Sequence, residues 1–454
     1  MFQDFPDHAR PDIQSRPVED VVLQLKAMGK TRVLDFPFPS PPEELQIQTA
    51  ERHLAKLGAL EPETLKINNL GRTISHFPVA PKYGKMLALS HQHQLTQHTI
   101  TMVAALSMPE VLLETPIGNH SDGYNKQELA QIRQKWAGSG HTLLLGDPMV
   151  LLSAIYATEY AGCTRDFCDR HGLRFKAMQE IRKLRRQLAN EMSTLKVVLD
   201  PKTIAPDQTE AFLLRQILLA GLADQVAHRI PVEELPTGED KKKLKYAYLT
   251  RTMEQPVFLH SLSILKMVNP LPDFVIYQEI YEVQGKMFMR GVTAIDPEWL
   301  PEFCPLDCDL SKPLSDREPF YEPEKDRVSA FRTGTFGERG WSLPLLKTEH
   351  PVQSDRIRYF AKFFLEGEIF PALKEYSKEL LSSPVAIIKT WGSLHAKRTR
   401  PLFETLLANQ VDTKRKFRQV WEENPKFLLK QYLVWLDEKW HEEVTKLWMS
   451  DLVK

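Results

Sequence analysis

The apolar pattern of this chain changes period twice, so no single core can serve all of it. From Leu95 to about Leu188 the apolar residues recur mainly at helical spacing; beyond Lys245 strings such as PVFLHSLSIL alternate at period two; after His350 helical spacing returns. A chain of 454 residues is also longer than one hydrophobic core supports, which predicts several compact units.

Local signals sharpen this division. Arg16-Pro17 opens a helix whose apolar face is Val21, Val22, Leu25 and Met28, with Gly29 as its stop. Ser40-Pro41-Pro42-Glu43 combines capping-box spacing with proline inside the start of a second helix, carrying Ile47, Ala50, Leu54 and Leu57 before Gly58. The stretch LKINNLGRTISHFPVAPKYGKMLALS has short β-like runs broken by Asn68-Asn69 and Gly71, so helix followed by a small hairpin predicts a winged helix. From Leu95 to about Leu188 the pattern predicts a helix bundle, with Asp147 as N-cap before Pro148 and Leu151, Leu152, Ile155 and Tyr156 as the buried face.

Phe258, His260, Leu262 and Ile264 fall on one side at period two, and FVIYQEIYEV and KMFMRGVTAI are further strand candidates, which predicts a small β-barrel. His260, alternating with apolar neighbours, reads as a satisfied core histidine. The proline-rich, charged segment DCDLSKPLSDREPFYEPEKD reads as an excursion between strands. Leu429, Leu433, Leu436, Trp440, Val444 and Leu447 share one face of a final helix.

Composition excludes several classes. Hydrophobic residues make up 42% and charged residues 26%, and no apolar run reaches the ~20 residues that span a bilayer, so membrane partners are not expected. The N-terminus lacks a basic start followed by an apolar core, which argues for an intracellular protein. Cys163 with Cys168 and Cys304 with Cys308 are too loosely spaced for zinc and read as free thiols; His91, His93 and His98 have no carboxylate or cysteine to complete a metal set. Basic and acidic residues balance at 59 each, so contact with nucleic acid must come from local patches.

Two patches stand out. Arg174 to Arg186 holds six basic residues against Glu180 alone. At helical spacing Ala177, Ile181, Leu184 and Leu188 form an apolar stripe, Arg186 lies nearly opposite, and Lys176 and Lys183 fall beside it; this is either a phosphate-binding face, with Arg182 adjoining, or a solvated one. Lys389 to Arg418 holds eight basic residues, among them Lys397, Arg398, Arg400, Lys414 and Arg415, against Glu404 and Asp412. Trp391 and Phe417 there are either stacking surfaces for unpaired bases or core aromatics. Lys241-Lys242-Lys243 reads as a solvated linker within reach of phosphate.

The order of these parts resembles the C-terminal half of DEAH/RHA-type RNA helicases. LDFPFPSPPEELQIQTAERHLAKLGAL with LGRTISHFPVAPKYGKMLALS is similar to the family's winged helix, GDPMVLLSAIYATEYAG through GLRFKAMQEIRKLRRQL to its ratchet-like helical domain, and VFLHSLSIL, VIYQEIYEV and MFMRGVTAIDPEWL to its OB-fold. The details GDPMVLLSAIYATEYAGCTRDFC and the long tail resemble the branch acting in the nucleolar small-subunit processome.

The resemblance implies a multi-domain α+β chain: residues 1–29 the end of a second motor domain and connector, 30–94 a winged helix, 95–215 the ratchet-like domain, 216–345 an OB-fold barrel, and 346–454 a helical C-terminal extension. It implies RNA as partner (pre-ribosomal RNA and small nucleolar RNA), together with ribosome assembly proteins and a helicase activator, in the nucleus and nucleolus. The family's P-loop and DEAH motifs are absent, and Gly334-Thr335-Phe336-Gly337-Glu338-Arg339-Gly340 lacks the GK[ST] ending and reads as a strand-end turn. The chain is therefore expected to hold no cofactor itself, with ATP and Mg belonging to motor domains outside it, and to lack ATP hydrolysis alone. Its expected work is to line an RNA channel and dock partners; the alternative is a non-catalytic docking scaffold with negligible RNA affinity.

Overall fold

The computed structural model describes residues 11–113, 126–195, 204–231, 244–389 and 396–450. The chain divides into two compact units, one of residues 1–307 with 337–339 and one of 308–336 with 340–454. The segment expected as one OB domain, 216–345, is thus shared between the two units.

In the first unit, helices Glu19–Ala27, Glu44–Lys56 and Asn69–Ser75 close a small core of Val22, Leu23, Ile47, Ala50, Leu54 and Ile74. The second of these helices starts at Glu43, not Ser40: the Glu43 side chain accepts from the N3 backbone while Gln46 caps the Glu43 amide at 3.0 Å. Two prolines in succession hold the chain extended past Ser40, so the nearest side chain able to reach back from a free helix end takes the cap. The expected hairpin is reduced to one bridge, Leu60 with Ile67, because Asn68 caps the amide of Gly71 at 2.9 Å and turns the following residues into helix.

The helical region follows with Pro81–Ser90, Thr96–Leu106, Lys126–Ala137, Asp147–Tyr160, Phe175–Thr194 and Gln208–Gly221. Thr96–Leu106 is buried on every side, as its neighbours among these helices require.

Seven strands complete the unit: β1 Val226–Arg229, β2 Ala247–Thr250, β3 Val257–Leu259, β4 Phe274–Ile276, β5 Glu279–Val283, β6 Lys286–Arg290 and β7 Thr293–Ile295. Their order is β5-β6-β3-β2-β1-β4-β7, antiparallel throughout except β3 with β6. Among the described residues no ladder joins β5 to β7, so where a barrel was expected the OB-fold presents a seven-stranded sheet without a closing ladder. Its core is Ala227, Tyr248, Val257, Leu259, Val275 and Met289. Strand β3 therefore turns Val257 and Leu259 inward and Phe258 and His260 outward, the reverse of the expected face. Leu262 and Ile264 lie beyond the strand, Ile264 in a 3-10 turn.

In the second unit β8 Cys308–Leu310, β11 Gly334–Phe336 and β12 Trp341–Ser342 form one small sheet; β9 Phe320–Glu322, β10 Arg327–Arg332 and β13 Leu346–Glu349 form another. The charged excursion thus contributes two strands, β8 and β9, and the glycine-rich string is the turn from β11 to β12. Helix Gln353–Leu365 and the tail helices pack Phe360, Phe364, Phe370, Phe417, Tyr432 and Trp448 into one aromatic core. The expected single final helix is two, Leu429–Leu433 and His441–Ser450, because Asp437 accepts from the Lys439 amide and starts a new turn between them. The predicted apolar positions still meet the core: Leu429, Leu436 and Val444 are buried, and Leu433, Trp440 and Leu447 pack against it.

Candidate nucleic-acid interface

The basic helix Phe175–Thr194 buries Ala177, Met178, Ile181, Leu188 and Met192; Leu184 is half-buried, its expected place in the stripe shared with Met178 and Met192. That anchoring leaves Lys176, Lys183 and Arg186 exposed, Lys183 with a 2.9 Å pair to Glu180 one turn back. Arg182 behaves differently. Its Nε and Nη2 donate to the two carboxylate oxygens of Glu159 at 3.0 and 2.7 Å, and Arg185 lies 3.5 Å from the same carboxylate. Burial raises the Glu159 pKa, but the Arg182 hydrogen bond and the charges of Arg182, Arg185 and Arg186 outweigh it and hold the carboxyl below its ordinary range. Glu159 therefore stays ionised at neutral pH and occupies the guanidinium fork that a phosphate would use.

The tail residues are more committed. Arg398 donates from Nε to the Val434 carbonyl at 3.0 Å and from Nη1 to Ser382 Oγ at 2.9 Å. The backbone amides of Lys414 and Arg415 donate to the two oxygens of Asp326 at 2.6 and 2.8 Å. The Lys414 ammonium sits 5.3 Å from the Phe370 ring centre, and burial pushes its pKa down. Arg400 pairs with Glu404 at 2.8 Å, and of the five tail residues singled out Lys397 and Arg415 are exposed with no side-chain pairing among the described residues. Phe417 is fully buried against Phe364, Phe370 and Phe427, so it is core and no stacking surface. Trp391 and Lys241-Lys242-Lys243 lie outside the described residues.

A cleft absent from the sequence reading lies between the helical region and the sheet, lined by Met108, Arg133, Asp147, His260, Tyr281 and Arg290 among others. Gly146 provides the cap position of helix Asp147–Tyr160, leaving the Asp147 carboxylate to reach the segments between the strands. Its Oδ1 accepts from Ser263 Oγ at 3.0 Å and the Ile264 amide at 3.1 Å; its Oδ2 accepts from the Val292 amide at 3.0 Å. Burial pushes the Asp147 pKa up, opposed by those hydrogen bonds and by Arg133. At Gly146, φ is +74° and a Cβ would collide with the Val292 carbonyl, so glycine is required where the helix meets β7. Arg215, 1% exposed, continues the seam: Nε donates to the Ala294 carbonyl at 2.8 Å, Nη2 pairs with Asp296 at 2.9 Å, and the guanidinium lies 4.7 Å from the Trp299 ring centre.

His260 is half-buried in that cleft, 5.9 Å from both Tyr281 and Phe288. It is a surface histidine among aromatic rings, because β3 has the opposite facing from the one its alternation suggested. A sequence signal was available: Val257 and Leu259 alternate as cleanly as Phe258 and His260.

Four family models match in chain order: the helicase-associated winged helix over residues 50–79, the ratchet-like helicase-associated domain over 80–151, the oligonucleotide/oligosaccharide-binding (OB) fold over 214–306 and the DEAH helicase DHX37 C-terminal domain over 372–451. The chain is 43% identical, over 98% of its length, to the Drosophila melanogaster protein described as "Probable ATP-dependent RNA helicase kurz". It is 41% identical, over 99% of its length, to the human "Probable ATP-dependent RNA helicase DHX37". It spans 39% and 40% of those two relatives. The chain belongs to the DEAH-box RNA helicase family and comprises its C-terminal winged-helix, ratchet-like, OB-fold and C-terminal-extension domains.

Proposed function

We propose that this chain is the accessory C-terminal part of an ATP-dependent RNA helicase that remodels pre-ribosomal RNA and small nucleolar RNA pairing during small-subunit assembly in the nucleolus. ATP and Mg belong to motor domains outside the chain, and assembly proteins and a helicase activator dock on its surface. The observation that carries the RNA role is the exposed trio Lys176, Lys183 and Arg186 on a helix whose opposite face is anchored in the ratchet-like domain. Such cations hold a single strand through its phosphates and carry little sequence information, so targeting falls to partners.

The test is binding of a single-stranded RNA across a salt series, with K176E/K183E/R186E in parallel. Three lost phosphate contacts on a single strand lower the salt slope by roughly 2. Binding that weakens with salt and collapses in the variant is the expected result. The docking scaffold with negligible RNA affinity has one observation in its favour, the Glu159 carboxylate that occupies Arg182 and Arg185. Absence of binding at low salt would select it.

A further inference from the structure

The helical region of the first unit carries a groove of about 680 Å³ that the phosphate contacts do not use, lined from helices Lys126–Ala137 and Asp147–Tyr160 and by His171. Aromatic rings dominate it. His171 stacks on Trp136 with ring centres 5.9 Å apart, and Phe167 backs His171 at 3.9 Å. Tyr156 and Tyr160 also line the groove, one helical turn apart and so on the same face of their helix. Tyr156 is buried and hydrogen-bonded to His98 at 2.8 Å, whereas Tyr160 stands 94% exposed. A tyrosine so exposed adds nothing to the core, and large exposed rings beside a groove mark places where a partner is held.

The polar groups at the groove narrow the choice of partner. Among the described residues neither Trp136 Nε1 nor the Tyr160 hydroxyl has a hydrogen-bond partner, and the exposed Lys135 on the rim has no carboxylate. A docked α-helix could not use those donors, because its own amides already occupy its carbonyls. A nucleic-acid strand would find Lys135 as the one cation lining the groove, while Glu159 holds the nearby Arg182 and Arg185. A polyproline II segment fits both features. Its carbonyls have no internal hydrogen bonds, its flat proline rings lie against aromatic faces, and its shape is set before binding.

We infer that this groove binds a proline-rich segment of a partner protein, with prolines against Trp136, His171 and Tyr160. Its carbonyls accept from Trp136 Nε1 and the Tyr160 hydroxyl, and a flanking acidic residue meets Lys135. The inference rests on the partner-docking part of the reading above and is independent of its RNA contacts.

The experiment titrates the whole chain with a labelled peptide of about ten prolines, about three turns of polyproline II, flanked by aspartates. Saturable binding is expected, and the indole N–H signal that is missing in W136F shifts during the titration. Y160A keeps the unfolding midpoint of the unaltered chain and weakens binding roughly tenfold, whereas Y160F, which retains the ring, weakens it less. K135E reverses the preference between aspartate- and lysine-flanked peptides. Absence of saturable binding, equal affinity in Y160A, or equal affinity for a peptide with alternate prolines changed to alanine would overturn the assignment. A Trp136 signal that shifts with an oligouridylate and not with the peptide would give the groove to RNA instead. The salt dependence of RNA binding is read separately, so a failure here and a failure of the RNA reading are told apart.

Discussion

The two units hold themselves together by different means. In the first, helices meet the sheet along a seam of charge: Asp147 on donors from Ser263, Ile264 and Val292 in the segments between strands, Arg215 on Ala294 and Asp296, and Asp307 between Arg251, at 2.9 and 2.6 Å, and Lys56, at 2.9 Å. In the second, aromatic packing dominates, to the point that Tyr432 Oη and the Nε1 atoms of Trp435 and Trp448 are buried with no hydrogen-bond partner among the described residues. The difference teaches where basic residues are left over. Where polar joints are made by dedicated pairs inside the fold, a helix can leave Lys176, Lys183 and Arg186 outside. In the aromatic unit Arg398 and Lys414 are drawn into holding the tail.

The contrast breaks most visibly at Phe417. Phe417→Ala removes a fully buried ring from the second unit and is expected to destabilise it by about 3–5 kcal/mol. The loss should be the same at pH 4 and pH 7, because no charge is involved, and RNA affinity should hold at temperatures where the unit stays folded. Chemical unfolding at the two pH values checks this. A strong drop in RNA affinity without loss of stability would return Phe417 to the stacking role.

Asp307→Asn is the counterpart in the first unit, expected to cost about 1.5–3 kcal/mol because it takes a carboxylate from the buried Arg251 guanidinium and the Lys56 ammonium, while the 3.4 Å pair of Arg251 with the more exposed Asp224 remains. Burial raises the Asp307 pKa, but hydrogen bonds from Arg251 and Lys56 and their charges outweigh it and hold the carboxyl below its ordinary range. A depressed folded pKa gives stability that is fully present above the unfolded value of ~3.9 and is lost as pH falls through the folded one. The gap between the unaltered chain and the variant should therefore be constant near neutrality and shrink below about pH 4. A gap that does not change with pH would mean that shape, not charge, makes the joint.

Glu159→Gln sharpens the comparison on the functional side. It removes the anion that occupies Arg182 and Arg185 and is expected to raise RNA affinity several-fold, with a steeper salt slope by roughly 0.7 for each phosphate gained on a single strand. Unchanged affinity would show that these two arginines serve only to fix the helix.

How much of this was legible follows the same division. The order of helical and strand regions could be read because period is carried by many residues at once. Single-residue decisions could not. The cap fell on Glu43 because the prolines keep Ser40 outside the helix, and β3 faces Val257 inward because both its alternating sets are apolar and only the neighbouring strands choose between them. Asp147 looked like a local cap, yet its partners lie at Ser263, Ile264 and Val292, more than a hundred residues away. The basic helix was found in the sequence because density of charge is local; Glu159, which occupies Arg182 and Arg185, was missed because that contact is tertiary. Charge density alone also overstated the tail, where four of the five chosen residues contribute a side chain or backbone amide to its own structure: Arg398, Arg400, Lys414 and Arg415.

The smallest expected effect tests that last point. Arg400 and Glu404 are an exposed pair one helical turn apart, with side chains 75% and 59% accessible. An exposed pair of this kind contributes about 0.3–0.5 kcal/mol, since each charge keeps most of its water. Arg400→Ala should therefore shift stability by no more than that. If the residue is only a solvated charge, the RNA salt slope should be unchanged; if it holds one phosphate, the slope should fall by roughly 0.7. The salt series on the single variant separates the two. A fall would add Arg400 to the residues that meet RNA despite its inward-turned neighbours, whereas an unchanged slope leaves Lys397 and Arg415 as the exposed candidates of the tail.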